Sequence, residues 1–315
     1  MSCLSVVLAE RPTAAIVPGQ TFRTESHPVP SADDLQPGQL LVMRGAVVAR
    51  VLASRSDKYA VGDTVVAYAG WTEMAIVGEA AVESSLHAVT AGLPADAAAR
   101  IHGTDLLNVL GPTGRTAYFG LAKVAGGVRP TDTVVVSGAA GATGSVVGQL
   151  AKLQGAKRWL VDELGFDVGI NYKDADFAAQ LKAATPDYID VYWDNVGGDV
   201  LDAALARANT FARFVMCGGI SQYNSTAVQG PRNILQVVTQ RVKMQGFIVF
   251  DYAKEYPAAN KELAQWLAAG KIKSKETIVK GGLRAAEQAL VGLYNGVNTG
   301  KLLVEVKTPE EAAKL

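Results

Sequence analysis

Thr133-Val-Val-Val-Ser137-Gly138-Ala-Ala-Gly141-Ala-Thr-Gly144 decides the fold of this chain. The valines read as a strand, the glycine-rich run as a turn, and Ala142 to Leu153 as a helix. An early glycine permits the tight turn, Gly141 lets backbone approach a pyrophosphate, and Gly144 lets the helix lie closely on the strand. The helix N-terminus then presents unpaired N–H groups and the positive end of its dipole to phosphates. Glycine spacing alone is weak evidence. The flanking strand and the helical Ser145 to Lys152 give it context. The competing reading is a tight turn in some other α/β protein.

Downstream, strands and helices alternate. Asp187 to Trp193 and Arg213 to Cys217 read as strands with a helix, Val200 to Ala208, between them. Asn233 to Arg241 reads as a helix, Met244 to Val249 as a strand and Tyr256 to Ala269 as a helix. This βαβ rhythm predicts a parallel sheet covered on both faces. Upstream, Gly114 to Ala125 has helical spacing. Before it lie short β-branched runs, Ser5 to Leu8, Leu40 to Met43, Ala46 to Leu52 and Thr64 to Tyr68, parted by turn residues such as Gln36-Pro37-Gly38. They predict a compact, distorted barrel. The tail reads as a strand (Glu276 to Lys280), a helix (Leu283 to Tyr294) and a strand (Leu302 to Val306), both strands able to return to the first domain.

The bulk numbers bound the function. The chain has 315 residues, enough for two domains, and 49% of them are apolar. Thirty basic and 30 acidic residues cancel, which gives no electrostatic case for nucleic acid or an acidic membrane. No run is long and apolar enough to span a bilayer. The apolar Cys3 to Ala9 lacks a basic leader and is cut off by Glu10-Arg11-Pro12, so no signal peptide is expected. Two cysteines, Cys3 and Cys217, make no disulfide framework and point to a reducing, cytoplasmic setting. His27, His87 and His102 lack ligand spacing, so no metal site is expected.

A dinucleotide fold continues from the first helix into a second strand that ends in a ribose-reading residue. Here Gly155-Ala156-Lys157 runs straight into Arg158-Trp-Leu-Val-Asp-Glu-Leu-Gly165, which reads as helical. Asp162 and Glu163 then read as solvated surface charge. The sequence shows a phosphate turn without a ribose selector.

These residues resemble the zinc-independent medium-chain dehydrogenase/reductase family, in particular its alkenal/enone double-bond reductase group. The resemblance covers nearly the whole chain. Its carriers are Val7-Leu-Ala-Glu-Arg-Pro12, Gly114 to Leu121, Gly138 to Lys152, Leu164-Gly-Phe-Asp167, Ile170-Asn-Tyr-Lys173, Asp194-Asn-Val-Gly-Gly198, Cys217 to Asn224 and Asn298-Thr-Gly-Lys301. It implies an α/β fold: a doubly wound Rossmann parallel sheet (121–271) plus a GroES-like β-barrel domain (1–120 and 272–315). NADP, with NAD as an alternative, is the implied cofactor, a small enone or alkenal the substrate, and a homodimer a possible assembly. Two departures stand out. Family members carry a strand and a phosphate-binding lysine between the positions of Lys157 and Arg158, and a longer segment near Leu41 to Gly45 that forms part of the substrate pocket. This chain skips both.

By motif, the resemblance places Gly141, Ala142, Thr143 and Gly144 at the pyrophosphate and Tyr172 and Asn195 along the nucleotide. It places Cys217, Gly218, Gly219, Ile220, Ser221 and Tyr223 beside the nicotinamide side. Phe247, Ile248 and Val249 offer backbone groups to the carboxamide, and Asn298 closes over the cofactor. Tyr223 matches the tyrosine near the substrate carbonyl, a neutral phenol suited to donate to oxygen as enolate charge builds. Each has a plainer reading: Tyr223 a loop ring with a wet hydroxyl, Cys217 an inert buried thiol, Tyr172 a packed ring after a short strand, Asn195 and Asn298 turn formers. Tyr68 and Trp71 read as core or pocket aromatics, and Lys271 to Lys275 as a solvated face. Three functions follow: an enone reductase, a non-catalytic or impaired dinucleotide-binding protein, and a zinc-free quinone reductase or alcohol dehydrogenase.

Overall fold

The computed structural model describes residues 2–9, 16–30, 32–37, 39–43, 48–68, 70–156, 167–223, 225–228 and 230–307. The chain folds as two compact units, Met1–Gly111 with Glu276–Leu315, and Pro112–Lys275.

In the first unit, strands β1 (Ser2–Leu8), β2 (Phe22–Pro28), β3 (Gln39–Met43), β4 (Val48–Ser54), β5 (Thr64–Ala67), β6 (Trp71–Thr72), β7 (Met74–Gly78) and β8 (Val82–Ser85) precede short helices α1 (Leu86–Thr90) and α2 (Ala95–Ala98). They form two antiparallel sheets, ordered β2-β1-β6 and β7-β3-β4-β5-β8. Alternation along the strands sends Ala49, Val51, Val65, Ala67, Val77 and Val82 into one apolar cluster. Phe22 stacks on Trp71. These are the antiparallel sheets of a GroES-like domain.

The second unit contains helix α3 (Pro112–Phe119), extended by a wide π-helical turn at Gly120–Val124. Strand β9 (Val134–Val136), helices α4 (Ala142–Leu153) and α5 (Phe177–Ala184), strand β10 (Ile189–Asp194), helix α6 (Gly198–Leu205), strand β11 (Ala208–Met216), helix α7 (Gln236–Thr239), strand β12 (Lys243–Gly246) and helix α8 (Tyr256–Ala268) follow. The four strands are parallel in the order β12-β11-β10-β9, with Val135, Tyr192, Phe214 and Met244 in register. These four residues face α5 and α6 through Leu181, Leu201 and Leu205. The opposite face carries Trp193 and Val215, both fully buried. Burying each such large side chain contributes about 2 kcal/mol. There Arg213 also pairs with the buried Asp132 and donates to Ala125 O and Gly127 O at 3.0 and 2.7 Å. The chain then returns to the first unit with β13 (Glu276–Val279), α9 (Ala286–Tyr294) and β14 (Lys301–Val304), the two strands pairing in parallel.

Several sequence expectations change. The helix expected over 200–208 ends at Leu205, and the strand expected from Arg213 begins at Ala208. The helix expected over 233–241 shrinks to α7, and residues 232–235 before it form a turn in which the Asn233 amide N–H and the Arg232 guanidinium bond Asp202 of α6. The strand expected to reach Val249 stops at Gly246, where its pairing partner β11 ends at Met216. Residues 168–171 before Tyr172 are not a strand. Helix α5, without a counterpart in the sequence reading, supplies Leu181 to the core. The helical reading of 158–165 and the shortened stretch around 44–47 lie outside the described residues.

Candidate active site

The second unit offers its site at the carboxyl ends of the strands. After β9 the chain enters α4. After β10 it enters α6, which packs on the opposite side of the sheet from Trp193. Strand ends of this kind are where doubly wound sheets receive ligands.

The turn after β9 is built to be bare. The Gly141 N–H donates to Gly138 O at 2.9 Å, and Gly141 caps α4 with no side chain on its amides. A Cβ on Gly144 would sit 2.3 Å from Gly138 O, so only glycine lets the first helical turn close on the turn backbone. The close approach is therefore to the turn itself. Residues 141–143 are half-buried and carry only small side chains. Small side chains, helix N–H groups and the dipole suit a diphosphate.

Next to it, the end of β10 is knotted by hydrogen bonds. Asn195 Nδ2 donates to Ser137 O at 2.7 Å, and Asn195 Oδ1 accepts from Trp193 Nε1 at 3.0 Å. Its amide thus joins two strand ends and retains one N–H. Gly197 has φ +72°, a conformation that favours glycine, as α6 begins.

The third segment follows β11. Cys217 N–H and Gly218 N–H donate to Asp194 O at 2.9 and 3.0 Å, Ile220 N–H to Asn195 O at 3.1 Å, and Ser221 Oγ to Val196 O at 2.6 Å. Tyr223 folds back so that its Oη accepts the Gly219 N–H, while 62% of the residue stays exposed. Burial first, then the Asp194 charge, push the Cys217 thiol up to about 12, a hydrogen bond with Trp193 opposing them. A thiol that holds its proton this tightly is a poor nucleophile. After β12, Phe247 packs edge-on against Trp193, and Ile248 is exposed.

The sites predicted at 141–144, at Asn195 and over 217–223 are thus connected by hydrogen bonds or adjacent strand ends. Tyr172 is half-exposed with the Lys173 ammonium 5.9 Å from its ring, and among the described residues no hydrogen bond ties it to the strand ends. Asn298, in the first unit, donates from Nδ2 to Gly300 O at 2.7 Å, a turn contact. Asn224 lies outside the described residues. Ser137 and Asp194, which bind the segments together, lie in stretches the sequence reading quoted but were given no role there, because their bond to one another spans distant parts of the chain.

Comparison with known proteins agrees with this geometry. A family model described as "Zinc-binding dehydrogenase" matches residues 133–265, and one described as "N-terminal domain of oxidoreductase" matches residues 21–85. A putative NADP-dependent oxidoreductase, YfmJ, of Bacillus subtilis is 41% identical over 85% of this chain and 79% of its own. The chain belongs to the zinc-independent medium-chain dehydrogenase/reductase family, in its alkenal/enone reductase group. Within that group, the NADP(+)-dependent 2-alkenal reductase of Nicotiana tabacum is 38% identical over 83% of this chain and 76% of its own. CurA from Vibrio vulnificus, solved in complex with NADPH, superposes with a TM-score of 0.82 at 34% identity over 97% of this chain and all of its own. The family fold is the GroES-like barrel plus Rossmann domain described above. Among the described residues no three His, Cys, Asp or Glu side chains group as metal ligands, and no helix is long and apolar enough to cross a membrane.

Proposed function

We propose that this protein is an oxidoreductase that transfers hydride from NADPH to the activated C=C of an α,β-unsaturated aldehyde or ketone, without zinc. The observation that carries the reading is the pairing of a bare phosphate turn at 138–144 with a loop at 217–223 that ends in an exposed phenol. Relatives at 41% and 38% identity bear NADP-dependent names, one of them a 2-alkenal reductase.

The 141–144 amides would hold the diphosphate, and Asn195 would border the nucleotide with its remaining N–H, with Tyr172 along it. The 217–221 backbone and 247–249 would flank the nicotinamide side. A bound nicotinamide dinucleotide supplies the hydride to the β-carbon. As negative charge builds on the substrate oxygen, Tyr223 Oη donates a hydrogen bond to it, its O–H being free because the Gly219 N–H engages only the phenol oxygen. Water or a tyrosine protonates the α-carbon. The Rossmann domain would hold the dinucleotide, and the protein works as a cytoplasmic homodimer.

Loss of NADPH absorbance with a small alkenal, beside a quinone at equal concentration, tests this. Faster turnover of the alkenal is expected. Folded protein that binds NADPH yet turns over neither would instead establish a non-catalytic dinucleotide-binding protein, a reading favoured by the shortened stretch at Leu41 to Gly45.

A further inference from the structure

Asp194 ends β10 with no exposed surface. Its Oδ1 accepts four hydrogen bonds: Ser137 Oγ at 2.9 Å, Tyr192 Oη at 3.0 Å, and the Val196 and Gly197 N–H groups at 3.1 and 2.9 Å. Its main-chain carbonyl accepts two more, from Cys217 and Gly218. Ser137 Oγ, held by Asp194, accepts in turn from the Asn195 and Val196 N–H groups at 2.9 and 3.2 Å. One residue therefore reaches the ends of β9, β10 and β11 together. Its other oxygen, Oδ2, is buried with no hydrogen-bond donor. A buried carboxylate with an unpaired oxygen is costly. Three of the four donors that offset it belong to the segments that form the candidate dinucleotide site.

We propose that Asp194 is a positioning residue: a buried anion that sets the 195–198 turn and the start of the 217–223 loop against the phosphate turn, in the arrangement a dinucleotide requires. This rests on the dinucleotide reading above. The charge also has a chemical consequence. Cys217 and Tyr192 both hold their protons more tightly than usual, through burial first and Asp194 second. Thiolates, not thiols, add to electrophiles. A site that handles enones thus keeps its own cysteine out of reaction with them.

The test uses full-length protein, Asp194→Asn, NADPH fluorescence titration, and N-ethylmaleimide labelling of Cys217 read by peptide mapping. The asparagine keeps the shape and Oδ1 but removes the charge. In a cooperatively melting Asp194→Asn protein, Cys217 labelling at mildly alkaline pH should rise about tenfold. NADPH affinity should fall about tenfold. A purely structural role would leave the pH profile of labelling unmoved. Labelling and affinity both unchanged would overturn the proposal. Should Asp194→Asn fail to fold, Ser137→Ala removes one donor and keeps the charge: weaker NADPH binding with slow Cys217 labelling is expected, and unchanged affinity overturns the proposal. Labelling does not depend on NADPH. A parent protein that binds no NADPH therefore overturns the dinucleotide reading, while a parent that binds NADPH, with affinity and labelling both unmoved by Asp194→Asn, overturns the role of Asp194.

Discussion

Tyr223 Oη accepts the Gly219 amide N–H at 3.2 Å, so the phenol is oriented by its own loop and keeps its proton to give. Removing the hydroxyl alone should leave the loop intact and remove the donor to the substrate oxygen. Tyr223→Phe is expected to lower kcat for an enone about a hundredfold, in the range seen for loss of one oxyanion donor. NADPH affinity should stay near the parent value. Steady-state kinetics beside a fluorescence titration separates the two, and full activity in the variant would remove Tyr223 from the chemistry.

Gly144 offers a sharper steric test. An added methyl would meet Gly138 O at 2.3 Å, and that atom is backbone with nowhere to yield. Gly144→Ala should cost about 1–3 kcal/mol, as overpacking does, and open the phosphate turn. A lowered melting temperature with weakened NADPH binding is the expected pair of results. A variant that binds like the parent would place the diphosphate elsewhere.

Cofactor discrimination depends on a segment this chain skips. By the family resemblance, this chain skips a strand and a phosphate-binding lysine between the positions of Lys157 and Arg158. With that lysine skipped, the preference for NADPH over NADH should be less than about tenfold, roughly the free energy of one charge-assisted hydrogen bond. Side-by-side dissociation constants decide it. A strong preference would show that another basic side chain has taken the lysine's place.

Alkaline stability should report on Tyr118. Its Oη donates to Glu262 Oε2 at 2.7 Å, and burial, followed by Glu262, pushes the phenol up to about 12. The folded state holds this proton more tightly than the unfolded chain, where a tyrosine titrates near 10. The stabilisation is therefore complete below about pH 10 and lost as pH rises through about 12. Urea melts across that window should fall, and the fall should be shallower in Tyr118→Phe.

Much of this site was legible in one dimension. The helix read as Ala142 to Leu153 is α4 at the same bounds, because valine runs, glycine turns and helix starts are local chemistry. The 217–223 loop was legible only through family resemblance, since its backbone hydrogen bonds run to Asp194, Asn195 and Val196 and leave no periodic trace. The contact of Asn233 with the distant Asp202, at the turn before α7, was likewise invisible to a local pattern.

What the sequence by itself determined is the kind of unit, a strand, bare turn and helix that repeat as βαβ, because each depends on residues within a few positions of one another. What only the tertiary structure decided is who meets at the strand ends. Ser137 and Asp194 are 57 positions apart and share a buried hydrogen bond. Parallel pairing of β9 with β10 brings them together, and once buried, their polar atoms have no water to turn to and must satisfy one another.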